Sequence, residues 1–105
     1  METNNMTFDF SSEKNALLIQ QRGVSFEDAI MAIETGAVYD IVPHPNQTKY
    51  PNQEMYILEI NDYIYVVPFV NGEAETIFLK TIIPQRKLTK QYLRGDKNEN
   101  KKNIT

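Results

Sequence analysis

The chain contains no cysteine and one histidine among its 105 residues. Without cysteine there are no disulfides and no thiolate site, which fits a reducing compartment, and a cytoplasmic location is expected. A single histidine with no His-x-x-Glu-type cluster argues against a structural metal, so neither metal nor cofactor is expected. No apolar run approaches the roughly 20 residues that a membrane span requires, and no secretory signal pattern opens the chain; no membrane association is expected. There is no glycine-rich phosphate loop, no Ser-His-Asp set and no carboxylate-rich metal motif. Glycine is sparse as well. All four glycines (23, 36, 72 and 95) fall where the hydrophobic pattern changes, so they read as element boundaries.

What is present is an ordinary globular composition, 41% hydrophobic and 24% charged, enough for one domain with one modest core. The net charge of −3 conceals a polarised chain. Residues 1–79 carry three basic side chains (Lys14, Arg22, Lys49) against twelve acidic ones. Residues 80–105 carry eight basic side chains against Asp96 and Glu99. Such a division marks a surface for an anionic partner, nucleic acid above all, or else a solvated helix face running into a charged tail.

Taken in order, Met1 to Asn5 is polar and expected to be disordered. Phe8-Asp9-Phe10 is a short strand or a lead-in to a helix. Ser11 or Ser12 caps a helix to about Arg22, with Ala16, Leu17, Ile19 and Gln20 against the core and Gly23 as its stop. Ser25 and Asp28 stand at capping-box spacing for a second helix, whose apolar stripe is Ala29, Ile30 and Ile33, ended by Gly36. Ala37 to Val42 reads as a strand and Pro43 to Gln53 as a long loop. Three apolar runs follow: Met55 to Ile60, Tyr63 to Val70 and Thr76 to Ile83. Asn61-Asp62 and Asn71-Gly72 are the turn signals between them, Asn-Gly favouring a tight hairpin. Pro68 implies a bulge or an exposed strand edge, because it cannot donate to a ladder. Thr76 to Ile83, apolar on both faces apart from Lys80, reads as a central strand. From Gln85 the period changes to a short helix, with Leu88 and Tyr92 inward and Arg86, Lys87, Lys90 and Arg94 around them. From Gly95 the composition predicts a disordered polar tail, residues 95–105. The expected fold is therefore α+β: two N-terminal helices on a four-stranded, mostly antiparallel sheet, with a basic C-terminal helix, in a single domain over residues 6–94.

The chemistry-bearing residues are the cations Lys80, Arg86, Lys87 and Lys90, with Lys80 set among apolar neighbours. Its ammonium must reach solvent, a carboxylate or a phosphate. Metal-independent RNA cleavage needs cations to stabilise a phosphorane, and acid or base groups to move protons. Candidates for proton transfer are Glu54, His44, Tyr56 and Tyr92. Each also has a plain structural reading: His44 as a surface histidine, Tyr92 as core beside Leu88, Glu54 as an exposed strand start, and Lys80 as a lysine snorkelling from the sheet.

Phe8-Asp9-Phe10 and the helix junction Arg22-Gly23-Val24-Ser25-Phe26-Glu27-Asp28-Ala29 resemble the opening of BrnT-type toxins of the RelE-like superfamily. Lys80-Thr81-Ile82-Ile83-Pro84-Gln85-Arg86-Lys87 is similar to that family's terminal strand and the basic residue after it. Lys80 stands where the family has arginine, and Met55 follows Glu54 where the family places arginine. The resemblance implies a ribonuclease toxin of a type II toxin–antitoxin system, acting on mRNA. Lys80, Arg86 and Glu54 would be catalytic, and Lys87, Lys90 and Arg94 would bind RNA. It further implies a cognate antitoxin, of ribbon-helix-helix type, with DNA reached only through that antitoxin. Two rivals share the features: a catalytically inactive module of the same fold acting through protein partners or operon autoregulation, and a small adaptor with a solubilising tail.

Overall fold

The computed structural model describes residues 6–94; the N-terminal residues 1–5 and the tail 95–105, both expected to be disordered, lie outside the described residues. Strand β1 (Thr7–Asp9) leads into helix α1 (Ser12–Arg22), then α2 (Phe26–Glu34). Strands β2 (Val38–Pro43), β3 (Glu54–Ile60), β4 (Tyr63–Asn71), β5 (Thr76–Leu79) and β6 (Ile83–Pro84) follow. Helix α3 (Arg86–Thr89) continues into a π-helical turn, Lys90–Arg94. The architecture is the expected α+β one, with more strands than four. The sheet runs β1-β5-β4-β3-β2, and β6 joins β4 beyond the end of β5. All pairings are antiparallel except β1 with β5, so Phe8-Asp9 is a strand rather than a helix lead-in.

The helix boundaries follow from capping chemistry. The Ser11 hydroxyl accepts from the Lys14 N–H at 3.1 Å, and Gly23 closes α1 at φ 69°, a left-handed conformation that costs an L side chain energy. Ser25 and Asp28 form a reciprocal capping box at 3.0 Å in both directions. Asn15 ties the two helices: its Oδ1 accepts from the Phe26 N–H at 2.7 Å, and its Nδ2 donates to Glu27 at 2.9 Å. The Asn15 amide, and after it a backbone hydrogen bond at Glu27, hold the Glu27 carboxyl below the ordinary glutamate range.

The inward face of α1 is not the one the sequence pattern predicts. Leu18 is buried, whereas Leu17 and Ile19 are 47% and 52% exposed. The pattern misleads because Ala16, Leu17, Leu18 and Ile19 are contiguous and fix no phase; Leu18 is the one that meets Val24, Phe26 and the sheet. On α2, Phe26, Ala29 and Ala32 are buried while Ile30 and Ile33 flank them.

The helices cover one sheet face, packing on Tyr56, Leu58, Val67, Phe69, Ile77 and Leu79. The opposite face, Ile57, Ile64 and Val66, is covered by Leu88, Tyr92 and Leu93. With both faces covered, β3 and β4 are apolar almost throughout. The Asn61-Asp62 turn has positive φ at both residues, 51° and 65°, as a tight hairpin requires. The turn after Asn71 does not take that form. It spans Gly72 to Glu75, and positive φ falls on Ala74 and Glu75, with Gly72 outside the left-handed region.

Thr76 to Ile83 is likewise not one strand. Phe69, Val70 and Asn71 pair with β5, Tyr65 and Val66 pair with β6, and Lys80 to Ile82 jog between them. Pro68 lies opposite this break, fully inside the sheet and regularly paired with Met55 of β3. Its missing donor is accommodated by a jog in the neighbouring chain, not by an edge or a bulge in its own strand.

Candidate nucleic-acid interface

The basic helix is bolted to β4 through one buried hydroxyl. Thr89, 1% exposed, accepts from the Ile64 N–H at 2.9 Å and donates to the Gln85 carbonyl at 2.8 Å. The Gln85 N–H in turn donates to the Ile64 carbonyl at 2.9 Å. These bonds satisfy β4 where β6 ends, and they fix the rotation of α3 about its own axis. Leu88 therefore faces the sheet, and the wider π-helical turn lets both Tyr92 and Leu93 rest there too.

The remaining positions face outward. Arg86, Lys87, Lys90 and Arg94 are all exposed, and their spacing places them on the solvent side of one continuous helical segment. The side chains of Arg86, Lys87 and Lys90 make no hydrogen bond or ion pair with any described residue. Arg94 meets the Asp62 carboxylate and carbonyl at 3.4 Å. Both side chains of that pair are at least half exposed, so it contributes under about 1 kcal/mol.

Lys80 sits at the break between β5 and β6. Its N–H donates to the Pro68 carbonyl at 2.8 Å, and its exposed ammonium lies 5.3 Å from the centre of the Phe78 ring. From the helix layer, the Arg22 guanidinium reaches the same break and donates to the Ile82 carbonyl. Measured along β4, Lys80 is opposite Pro68 while Gln85 is bonded to Ile64. Four residues of strand separate those points, about 13 Å. Lys80 and Arg86 thus flank a stretch of surface; their backbones do not converge on a point.

Glu54 is not brought to that surface. In β3, Tyr56 and Leu58 face the helices and Ile57 faces α3, so alternation places Glu54 on the helix side. Lys80, beside Phe78 and out of phase with Ile77 and Leu79, is on the other side. Glu54 accepts instead from the Asn71 amide at 3.4 Å. Of the other proton-transfer candidates, Tyr56 is buried and stacked on Phe69 at 4.3 Å. Burial, and then the nearby Glu54 charge, push its hydroxyl pKa up. Tyr92 is half-buried, 5.0 Å from Tyr39. The Tyr39 hydroxyl donates to Glu59 at 2.8 Å, a bond that raises its own pKa. His44 stays in its loop, its ring tilted against Tyr50 with centroids 4.4 Å apart and its Nδ1 accepting from the Asn46 N–H at 3.0 Å.

Arg22 and Thr89 are the residues that sequence reasoning missed. No local pattern signals either: Arg22 acts across 60 residues of chain, and a threonine between Leu88 and Lys90 looks like helix surface. A groove of about 320 Å³ lies elsewhere, between α2 and the β3–β4 turn. Glu27, Asp28 and Glu59 line it and no cation does, so it does not belong to the basic surface. Among the described residues, no group of three or more His, Asp or Glu side chains could hold a metal, and no helix is long and apolar enough to cross a membrane.

No family model matches the sequence, and no curated protein matches it. Among solved structures, the chain is similar to the Brucella abortus ribonuclease toxin BrnT, with a TM-score of 0.57 and 18% identity. The match covers 77% of this chain and 97% of the toxin's. At that identity the likeness is one of fold: the α+β architecture described above is that of a BrnT-like protein.

Proposed function

We propose that the protein is a ribonuclease-type toxin, cleaving mRNA without a metal and held inactive by a cognate antitoxin protein, as in the type II systems of the RelE-like superfamily. One observation carries the reading: the fold is similar to that of a ribonuclease toxin over nearly the whole of the toxin's chain. The exposed, unpaired cations add to it, since phosphate recognition requires charges that are not already neutralised.

In this reading the RNA backbone lies along the surface from Lys80 to Arg86. The 2′-hydroxyl loses its proton and attacks phosphorus, and the 5′-oxygen leaves carrying a proton. For Lys80 and Arg86 both to stabilise the negative charge on one phosphorane between these steps, their long side chains must reach toward each other across the stretch between them. Lys87 and Lys90 hold flanking phosphates, and Arg94 does so on leaving the Asp62 carboxylate. Lysine keeps the charge of an arginine at position 80 but not the planar fork. Glu54 serves in proton transfer only where RNA passes round the end of the β3–β4 pair, because its carboxylate is on the helix side.

The test is cleavage of single-stranded RNA and growth arrest on expression without antitoxin. Lys80→Ala and Arg86→Ala are each expected to lower cleavage on the order of 100-fold, the low end for a charge-stabilising group because both side chains are solvated. Their melting temperatures should match the parent's. Glu54→Gln lowers the rate if that carboxylate takes part, and leaves it unchanged if alternation keeps it away. Folded variants that cleave as fast as the parent would remove Lys80 and Arg86 from the site.

A second reading is favoured by the separation of Glu54 from the cations: a binding module of the same fold, acting through protein partners or operon autoregulation. It expects RNA or partner binding with no turnover in the parent protein.

A further inference from the structure

Arg22 is a cation in an acidic part of the chain, and the fold carries it elsewhere. It ends α1, where Gly23 turns the backbone away, and its guanidinium crosses to the Ile82 carbonyl. Segment 80–82 runs beyond the reach of β1, which pairs only with Thr76, Ile77 and Phe78. Arg22 therefore occupies the position where a strand edge opens and the chain jogs. Ile82 is two residues from Lys80, so their backbones are at most about 7 Å apart. The two cations arrive from different layers, Arg22 from the helices and Lys80 from the sheet, at one break.

We infer that Arg22 is a phosphate-binding residue for single-stranded RNA at the break between β5 and β6, on the helix-layer side of that break, with Lys80 on the other side. The inference rests on the RNA-binding part of the function proposed above and extends its surface onto the helix layer. A guanidinium presents several N–H donors in a planar fork, and the Ile82 carbonyl engages one nitrogen, Nη1. The fork makes no other hydrogen bond to a described residue, and Arg22 as a whole is a surface residue. Anchoring by a backbone carbonyl removes part of the entropy that a free arginine loses on gripping a phosphate. Lys80 presents an ammonium, and Arg22 can supply the planar, two-pronged contact that an ammonium cannot make.

The experiment is binding of a short single-stranded RNA of mixed sequence, followed across a salt series, for the parent, Arg22→Gln, Arg22→Lys and Lys14→Gln. Each phosphate contact on a single strand contributes about 0.7 to the slope of log affinity against log salt. Arg22→Gln is expected to flatten the slope by about that amount, with Arg22→Lys and the other α1 cation variant, Lys14→Gln, keeping it. An Arg22→Gln protein that melts like the parent and keeps the parent's slope overturns the inference, and leaves the RNA reading standing if Lys80→Ala flattens the slope. A parent that binds no RNA overturns both. Should Arg22→Gln fail to fold, phenylglyoxal labelling of the parent decides: RNA is expected to slow modification of Arg22. Unchanged modification there, with Arg86 protected, overturns it.

Discussion

Thr89 shows what a single side chain contributes to this molecule. Its hydroxyl is both acceptor and donor in a place shielded from solvent, and a valine of similar shape would leave the Ile64 N–H buried and unpaired. An orphaned buried donor costs about 1–3 kcal/mol, so Thr89→Val is expected to lower stability by that amount in urea denaturation, and Thr89→Ser by less than half as much. Equal losses for valine and serine would show that the methyl packing, not the hydroxyl, matters. Nothing in the sequence distinguishes Thr89 from a surface position, because its partners are 25 residues away in β4 and in the turn before its own helix. The cations were legible as a set, since their exposure follows from periodicity around Leu88 and Tyr92. Their arrangement was not: whether Glu54 faces them depends on the phase of two strands that are apolar on both sides.

Elements whose boundaries are written in local chemistry were readable. Ser11, Gly23 and the Ser25–Asp28 box act within four residues of themselves, and each stands where the sequence places it. Ser25→Ala removes the acceptor for the Asp28 N–H and unseats the reciprocal bond, so about 0.5–2 kcal/mol should be lost in a thermal or urea melt. A variant as stable as the parent would mean that Asn15, bonded to the next residue's N–H, holds α2 by itself. The strand after the second turn was harder to read. Leu79 and Ile82 belong to the same buried layer although they are three apart, an odd spacing that no regular strand can satisfy. The run from Thr76 to Ile83 hides that phase slip because its intervening residues are also apolar. Pro68 was the outward sign of it, a missing donor in an otherwise regular strand. The Asn71-Gly72 turn failed for a related reason: β1 pairs with Thr76 and takes a bond from the Thr7 N–H to the Glu75 carbonyl, which favours a longer loop over the two-residue one.

At the scale of the whole molecule, the charge asymmetry of the sequence becomes a division of surfaces. Acidic side chains line the groove beside α2, while the outward face of α3 and its π-helical turn is basic. A polyanion is attracted to the second and repelled by the first, which orients it before any specific contact forms. Lys87 and Lys90 are suited to test this, because neither is bonded to a described residue and neither is assigned to charge stabilisation at the cleaved phosphate. Replacing both by glutamine should flatten the salt dependence of RNA affinity by about 1.4, two phosphate contacts on a single strand. The melting temperature should stay within about a degree or two of the parent's, since exposed substitutions of this kind change stability by less than about 0.5 kcal/mol. The rate of cleavage at saturating RNA should be kept, as uniform binding lost from substrate and transition state alike raises KM without lowering kcat. A fall in kcat with the slope intact would instead place Lys87 or Lys90 at the reacting phosphate, and move the site along the helix from Arg86. A double variant indistinguishable from the parent in slope, KM and kcat would mean that RNA does not use this face.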